Sequence, residues 1–128
     1  MSNAGRKEDL RVRTKQFAAA IIELFVNLDR RRDEVRVIGN QMLRSGTSVA
    51  AQYREASRAR SPEEFISKID SCTQEADETQ LWLELLTETC SVSPLRTDAV
   101  LKETNELISI FVTMSKRTKA NKITITAR

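Results

Sequence analysis

Five acidic residues on one predicted helix are the first candidates for chemistry in this sequence. They are Glu75, Asp77, Glu78, Glu84 and Glu88. Helical bundles can hold metal ions between carboxylates, but such sites take a Glu-x-x-His ligand pair from each of two helices. The chain contains no histidine, and its candidate carboxylates share a single helix. The sequence therefore predicts no metal site, and these side chains are expected to face solvent or another subunit.

A second candidate is the Arg-Ser-Gly-Thr-Ser stretch at residues 44–48. A phosphate-binding loop needs repeated glycines at a strand-to-helix turn, usually with a lysine. Here one glycine, Gly46, stands inside a helical pattern, where it is better explained by the close approach of another helix. Ser45 and Cys72 are possible nucleophiles, but the chain lacks the histidine that usually activates them. We therefore expect no enzymatic activity and no cofactor.

Composition favours long helices in a single domain. The chain has 128 residues, with three Gly, two Pro and 5% aromatic residues. Its net charge of +3 is unevenly distributed, because Lys68 is the only basic residue among eight acidic ones between residues 61 and 90. The third helix is therefore acidic, whereas the segments on either side of it are basic.

The cellular location is predicted from what the sequence lacks. The longest apolar runs are a few residues, far shorter than a membrane span, and the first residues show no secretory signal. Cys72 and Cys90 fall on one predicted helix, about 27 Å apart along its axis, which is too far for a disulfide. We therefore expect a cytoplasmic protein with two buried thiols and no membrane partner.

Four apolar stripes with alternating spacings of three and four predict four amphipathic helices. The first two are Leu10, Thr14, Phe17, Ile21, Leu24, Leu28, and Val35, Ile38, Met42, Ser45, Val49, Tyr53, Ala56. The last two are Phe65, Ile69, Cys72, Ala76, Thr79, Leu83, Leu86, Cys90, and Val100, Thr104, Leu107, Phe111, Met114. Ser61, Pro62 and Glu64 form a start signal for the third helix.

The predicted bundle occupies residues 8–118. Its helices are expected at about residues 8–29, 34–59, 62–90 and 95–118, after a disordered leader at 1–7 and before a flexible basic tail at 119–128. Short connections between helices force neighbours to run in opposite directions. The predicted fold class is therefore all-α, an antiparallel up-down-up-down four-helix bundle.

The second and third helices each carry a second organised face, which predicts a subunit interface. The predicted interface residues are Arg44, Ser48, Ala51, Glu55, Glu78, Leu81, Trp82 and Leu85. Arg44 faces away from its own core stripe, so we expect it to meet a carboxylate of a third helix across or near the interface. Glu78 is the first choice for that carboxylate.

Basic residues from three helices are expected to gather at one end of the bundle. They are Arg11, Arg13, Arg54, Arg58, Arg60, Lys116, Arg117 and Lys119. One interpretation is ordinary solvation, with cations placed favourably at helix C-termini. The other is a polyanion-binding end that oligomerisation multiplies. The sequence leaves both interpretations open.

The segment from Asn40 to Leu86 resembles the 23S rRNA-intervening sequence proteins, a four-helix bundle family. The matching motifs are Gln41, Arg44-Ser45, Thr47-Ser48-Val49, Ala51, Arg54-Glu55-Ala56, then Glu75 to Thr79 and Trp82 to Leu86. Gln52 departs from the pattern, which has Asn there. The resemblance implies an antiparallel bundle that assembles as a ring, a homopentamer, and it implies no particular activity. Some members are encoded inside ribosomal RNA gene insertions, and a more distant similar group, the accessory variability determinant proteins, binds nucleic acid and a reverse transcriptase.

These observations predict a non-enzymatic homo-oligomeric bundle that binds RNA, DNA or another polyanion through its basic end. The alternative is a structural adaptor that recruits a protein partner through the acidic third helix. A reverse transcriptase-like or ribosome-associated protein is an example of such a partner, by analogy at the level of the fold.

Overall fold

Four long helices make up the protein in a computed structural model that describes residues 3–127, with side chains described for residues 9–122. The helices are α1 (Asn3–Val26), α2 (Asp33–Ser57), α3 (Pro62–Glu88) and α4 (Pro94–Ala127). No strand occurs between residues 3 and 127. The prediction of an all-α fold with four helices is therefore confirmed.

The outer ends of the first and last helices differ from the expected bounds. α1 begins at Asn3 rather than near residue 8, and α4 continues to Ala127 rather than ending near 118. No Gly or Pro interrupts residues 119–127, and two lysines there form ion pairs with α3. Lys119 Nζ lies 3.7 Å from Asp70 Oδ2, and Lys122 Nζ lies 2.8 Å from Glu63 Oε1. Residues 1, 2 and 128 of the expected leader and tail lie outside the described residues.

α3 begins at the predicted cap. Ser61 has extended backbone angles, and its Oγ accepts a hydrogen bond of 3.0 Å from the Glu64 N–H. Pro62 follows at the first helical position, where its missing N–H costs nothing. The Glu64 carboxylate accepts from the Arg60 N–H at 3.1 Å, one residue earlier than in a standard capping box. These bonds hold the α2–α3 turn.

The connection between α3 and α4 contains a left-handed residue. Ser91 has φ of +60°, and the Val92 N–H donates to the Leu86 carbonyl at 2.9 Å. This bond joins residues six apart, one more than in the Schellman motif, and glycine is the residue that usually occupies the left-handed position after a helix. Ser91 adopts it here without a glycine, and Pro94 then begins α4.

The core follows the predicted stripes closely. Most of the predicted positions are buried, while Ile38, Phe65 and Met114 are half-buried at its margin. The Tyr53 ring on α2 stacks with the Phe111 ring on α4, with centroids 6.1 Å apart. Large side chains therefore join α2 and α4 across the centre.

Threonines occupy core positions because the helix backbone satisfies their hydroxyls. Thr14 and Thr104 are buried, and each donates to the carbonyl four residues earlier, at 2.7 Å. A buried hydroxyl without a partner would destabilise the core, and this local bond removes that penalty. The remaining methyl group packs like that of valine.

Helices that follow one another in the chain pack side by side along their lengths. Between α2 and α3, Arg44 contacts Glu78 and Lys68 contacts Glu55, so residue numbers rise along one helix as they fall along the other. α2 also packs against α1 and α3 against α4, whereas α1 and α4 make much less contact with each other.

Candidate functional site

One end of the molecule brings together the end of α2, the start of α3 and the end of α4. Lys68 Nζ lies 3.4 Å from Glu55 Oε2, and Lys122 pairs with Glu63. These contacts put the last turns of α2 and α4 beside the first turns of α3. We call this region the basic end; its exposed cations are Arg54, Arg58, Arg60, Lys116 and Arg117.

The cations of the basic end are free of carboxylates. Within the described side chains, no Asp or Glu lies within 4.0 Å of the charged groups of these five residues. Arg54 and Arg58 occupy the last turn and the cap of α2, where their positive charges interact favourably with the partial negative charge of the helix C-terminus. Their charge is therefore available to an external anion.

Two other predicted cations are less available. The Lys119 Nζ approaches Asp70 at 3.7 Å, which offsets part of its charge. Arg11 is half-buried, and its Nε atom is out of contact with solvent. Both lie towards the predicted end, but neither presents a fully exposed charge.

Arg13 faces α4 and is not among the exposed cations of the basic end. Its Nε and Nη2 atoms donate to both oxygens of Glu103 at 2.8 and 2.6 Å, and Nη2 donates to Glu106 at 2.7 Å. Glu103 precedes Lys116 by thirteen residues, which is about 20 Å along a helix. Because α1 begins at Asn3, Arg13 stands three turns inside the helix rather than at its start. Its guanidinium is neutralised by two carboxylates.

The hydrogen bond between Arg13 and Glu103 shifts the pKa values of both side chains. The hydrogen bond from Arg13 holds the pKa of Glu103 below its usual range, because it favours the charged carboxylate. The same bond raises the pKa of Arg13. Arg13 and Glu103 therefore remain charged at neutral pH, and their bond ties α1 to α4.

The predicted interface residues fall on the outer sides of α2 and α3, which the Arg44–Glu78 and Lys68–Glu55 ion pairs bring together, and we call this surface the α2–α3 groove. Its residues are Val37, Gln41, Arg44, Ser48, Ala51, Glu55, Glu75, Glu78, Leu81, Trp82 and Leu85. Arg44 Nη2 donates to Glu78 Oε2 at 3.2 Å. The expected partner of Arg44 is therefore reached within one chain. Both side chains are about half exposed, so the pair contributes little to stability.

Two polar atoms in the groove are out of contact with solvent and unsatisfied. They are Trp82 Nε1 and Glu75 Oε2, which have no hydrogen-bond partner in the part of the chain that the structure describes. Arg44 Nη1 is 3.9 Å from Glu75 Oε2, too long for a hydrogen bond. Burial raises the pKa of Glu75, because desolvation disfavours the charged carboxylate.

The acidic side chains and the two thiols are the remaining candidates for chemistry. Among them, no group of three or more His, Cys, Asp or Glu residues is arranged to hold a metal ion. Cys72 and Cys90 are buried free thiols, and burial raises the pKa of Cys72 to about 12. A thiol with that pKa is protonated and a weak nucleophile at neutral pH. No helix among residues 3–127 has the length and apolar character required to span a bilayer.

Comparison with known proteins gives the lineage of this bundle. The family model described as 23S rRNA-intervening sequence protein matches residues 7–113. The chain belongs to this family. The family match covers α2 and α3 entirely and most of α1 and α4, so the predicted resemblance is confirmed and extends beyond the segment from Asn40 to Leu86.

A solved structure is similar to this member of the 23S rRNA-intervening sequence protein family. It is a protein of unknown function from the S23 ribosomal protein family of Bacteroides thetaiotaomicron VPI-5482. The two chains are 31% identical, with a TM-score of 0.76, and the alignment covers 83% of this chain and 97% of the other. No curated protein matches the sequence significantly.

Sequence reasoning missed the contacts that join distant helices. The partners of Arg13 are about 90 residues away in the sequence, and Ser115, which was not predicted in the core, donates to Asp70 at 2.8 Å. Charge alone identified Arg13 but could not show its neutralisation. The spacing of Glu103 and Glu106 on one helix face was a signal that could have directed attention to α4.

Proposed function

We propose that the protein is a non-enzymatic, cytoplasmic homo-oligomer that binds RNA or another polyanion through its basic end. The carrying observation is the set of five exposed cations, defined above, that have no carboxylate partner among the described side chains. Phosphates attract such cations and release counterions when they bind. Aromatic residues for base stacking are scarce, so binding should depend on the phosphate backbone rather than the base sequence.

The proposed assembly is a ring of antiparallel up-down-up-down bundles, with a homopentamer as the expected form. The opposite order of residue numbers in the α2–α3 contacts supports the antiparallel arrangement. The unsatisfied polar atoms and half-exposed Leu81 of the α2–α3 groove support a subunit contact there. A ring would place several basic ends on one assembly, so a polyanion could bind more than one of them.

The binding proposal is tested by measuring affinity for a fluorescein-labelled single-stranded RNA by anisotropy at several salt concentrations. We expect affinity to fall steeply with salt. Replacement of Arg54, Arg58 and Arg60 by Glu should weaken binding more than about tenfold. The slope of log affinity against log salt should also fall by about 2, because three phosphate contacts are lost.

A charge-matched control uses the opposite end of the bundle. Replacement of Arg31, Arg32 and Arg36 by Glu changes the net charge equally, but each of these arginines already pairs with a nearby carboxylate. We expect the affinity of the control variant for RNA to stay within about twofold of that of the unmodified protein, with the difference caused by its changed net charge. Equal losses in both variants, or no loss in the first, would contradict the proposed site.

The second candidate function is an adaptor that binds a basic protein through α3. Asp77 and Glu88 are exposed on α3 and form no ion pair within residues 9–122. Affinity capture from lysate with and without nuclease distinguishes the candidates. Partners that survive nuclease but are lost with Asp77→Lys and Glu88→Lys favour the adaptor, whereas partners lost only with nuclease favour polyanion binding.

A further inference from the structure

The outer face of α1 carries a second stripe, apolar except for one lysine, that does not contribute to the core. Val12, Lys15, Ala19, Ile22 and Val26 recur with alternating spacings of three and four. At 100° per residue they lie opposite the buried stripe that begins at Leu10. Val12 is 50% exposed, Ile22 45% and Val26 56%. We call this face the α1 seam.

The regular spacing of the α1 seam is the pattern of a helix that contacts another helix. Single exposed apolar residues are common on protein surfaces, but an organised row along four turns is not. Because the opposite face of α1 is already buried in the core, its own bundle leaves the seam uncovered.

The α2–α3 groove is a second incomplete surface on the same molecule. Val37 is 49% exposed and Leu81 is 47% exposed. The groove also holds the unsatisfied Trp82 Nε1 and Glu75 Oε2 atoms. Small residues, Ser48 and Ala51, lie between its two ends and leave room for an approaching helix.

Contacts within the chain show that the two surfaces match in height along the bundle. An added Cβ at Gly46 would meet Ile21, and one at Gly39 would meet Leu28. Counting along the helices from these contacts places Ile22 level with Ser45 and Val26 level with Gln41.

The same count carries over to α3 through the Arg44–Glu78 contact. It places Leu81 at the height of Val26. The apolar half of the α1 seam therefore coincides with the apolar half of the groove, where Leu81, Trp82 and Leu85 lie.

Charged residues on the two surfaces are also placed at similar heights. Lys15 is exposed and has no carboxylate partner among the described side chains. Its height corresponds to Gln52, one helical turn from Glu55, whose carboxylate is 55% exposed. In a ring whose symmetry axis runs along the helices, residues of equal height on adjacent copies meet, so Lys15 and Glu55 would come within reach of each other.

We infer that the α1 seam of one copy docks in the α2–α3 groove of a second copy. This inference rests on the proposed homo-oligomer and names the two surfaces that form its contact. Because the surfaces differ, the contact is heterologous: each subunit uses one surface for each neighbour, and repetition closes a ring. The α1 seam supplies half of the interface, whereas the predicted interface residues all belong to the groove.

The test uses two variants that each damage one surface and add the same charge. The seam variant is Ile22→Arg with Val26→Arg, and the groove variant is Val37→Arg with Ala51→Arg. All four positions are exposed, so each monomer should fold, which far-UV circular dichroism checks. The matched control, Ser109→Arg with Thr113→Arg, alters an exposed face of α4 outside both surfaces.

Light scattering after size exclusion measures the masses. The unmodified protein and the control should each have a mass that is several times the 14.5 kDa of one chain. Each surface variant should be monomeric alone. An equimolar mixture of the two should form a heterodimer and nothing larger, because it contains one intact seam and one intact groove.

The possible failures are distinguishable. A monomeric unmodified protein overturns the proposed assembly itself. An oligomeric protein whose surface variants keep the unmodified mass overturns the seam-and-groove contact while the assembly stands. A surface variant that dimerises alone indicates a contact of identical surfaces and also overturns the inference.

Disulfide trapping keeps the inference testable if a surface variant fails to fold. A chain carrying both Ala19→Cys and Ser48→Cys should form a ladder of covalent oligomers under mild oxidation, since the two positions are level. Either substitution alone should give no ladder. Cys72 and Cys90 are buried and serve as an unreactive background; absence of the ladder from the folded double variant contradicts the inference.

Discussion

The contact between α2 and α3 and the contact between α1 and α4 are built from opposite kinds of side chain. α2 and α3 approach through small residues, and Ser45 Oγ lies 2.7 Å from Thr79 Oγ1 in a buried hydrogen bond. α1 and α4 meet little, and the long side chains of Arg13, Glu103 and Glu106 bridge them near the surface.

Side-chain size decides how the two pairs are held. Short hydroxyl side chains let the helix backbones come close, so van der Waals contact and buried hydrogen bonds contribute to stability. A guanidinium–carboxylate bridge spans a wider gap, but it remains solvated and is weakened by salt. Mutations should therefore destabilise the α2–α3 contact more than the α1–α4 contact. Added salt should weaken the α1–α4 contact more than the α2–α3 contact.

The largest expected effect extends the comparison to the other side of α2, where Gly46 lets α2 approach α1 closely. A Cβ at position 46 would lie 2.8 Å from Ile21 Cγ1, and Ile21 is fully buried. Gly46→Val should therefore lower the free energy of unfolding by about 3 kcal/mol through overpacking. Urea denaturation monitored by circular dichroism measures the change.

The matched pair of smaller substitutions is Gly46→Ala and, as its control, Gly39→Ala. The Cβ added at Gly39 would meet Leu28 Cδ1 at 3.0 Å, at the flexible end of a side chain that can move. The helix propensity gained is ~1 kcal/mol, which should offset the crowding. Equal destabilisation at both positions would show that Gly46 has no special role in helix spacing.

The next effect concerns the buried hydroxyl pair. Thr79 Oγ1 donates to the Glu75 carbonyl at 2.8 Å, so Ser45 supplies the hydrogen in their mutual bond. Thr79→Val keeps the shape but removes that acceptor, and should cost about 1.5 kcal/mol. Thr73→Val, at a half-buried position with the same local bond to a backbone carbonyl, should cost less than half as much in thermal or urea unfolding.

A smaller effect on the α1–α4 side depends on pH. Since Arg13 lowers the folded pKa of Glu103 from its usual 4.5, the pair stabilises the fold above that value. The contribution disappears as pH falls through the lowered folded pKa. Glu103→Gln should cost at most about 1 kcal/mol at pH 7. Urea titrations from pH 7 to 2.5 should show this cost shrinking; a constant cost would mean that packing, not charge, is involved.

The smallest effect has the opposite sign and lies in the α2–α3 groove. Burial raises the folded pKa of Glu75 above its usual 4.5, so the charged form is disfavoured in the fold once pH exceeds the raised value. Glu75→Gln should stabilise the monomer by about 0.5 kcal/mol at neutral pH. The gain should vanish below pH 4. Measurement in a monomeric surface variant separates this effect from assembly, and destabilisation at pH 7 would contradict it.

The spacing of apolar residues predicted the four helices well, because the positions that are buried in a bundle recur with the helical period. The stripes containing Phe17, Val49 and Leu83 are fully or almost fully buried, and the start of α3 at Ser61 and Pro62 follows from local capping chemistry. The ends of α1 and α4 were predicted less well. The continuation of α4 coincides with ion pairs to α3, which local sequence does not reveal.

The candidate sites could be predicted in composition but not in arrangement. Arg13 and Arg54 are both arginines near other cations in the sequence, yet one is neutralised by α4 and the other is free of carboxylates among the described side chains. The partner of Arg44 was predicted correctly as Glu78, but the two residues meet within one chain. Such distinctions depend on which faces of distant helices meet.

The sequence by itself determined four helices, their buried faces and the uneven distribution of charge, because 3.6-residue periodicity and capping are local properties of the chain. Within the described residues, the tertiary structure decided which cations lack a carboxylate partner, which surfaces remain uncovered and where Glu75 and Trp82 have polar atoms without a hydrogen-bond partner. These features arise from contacts between residues far apart in sequence. Their energies depend on distance and burial, which a linear pattern does not contain.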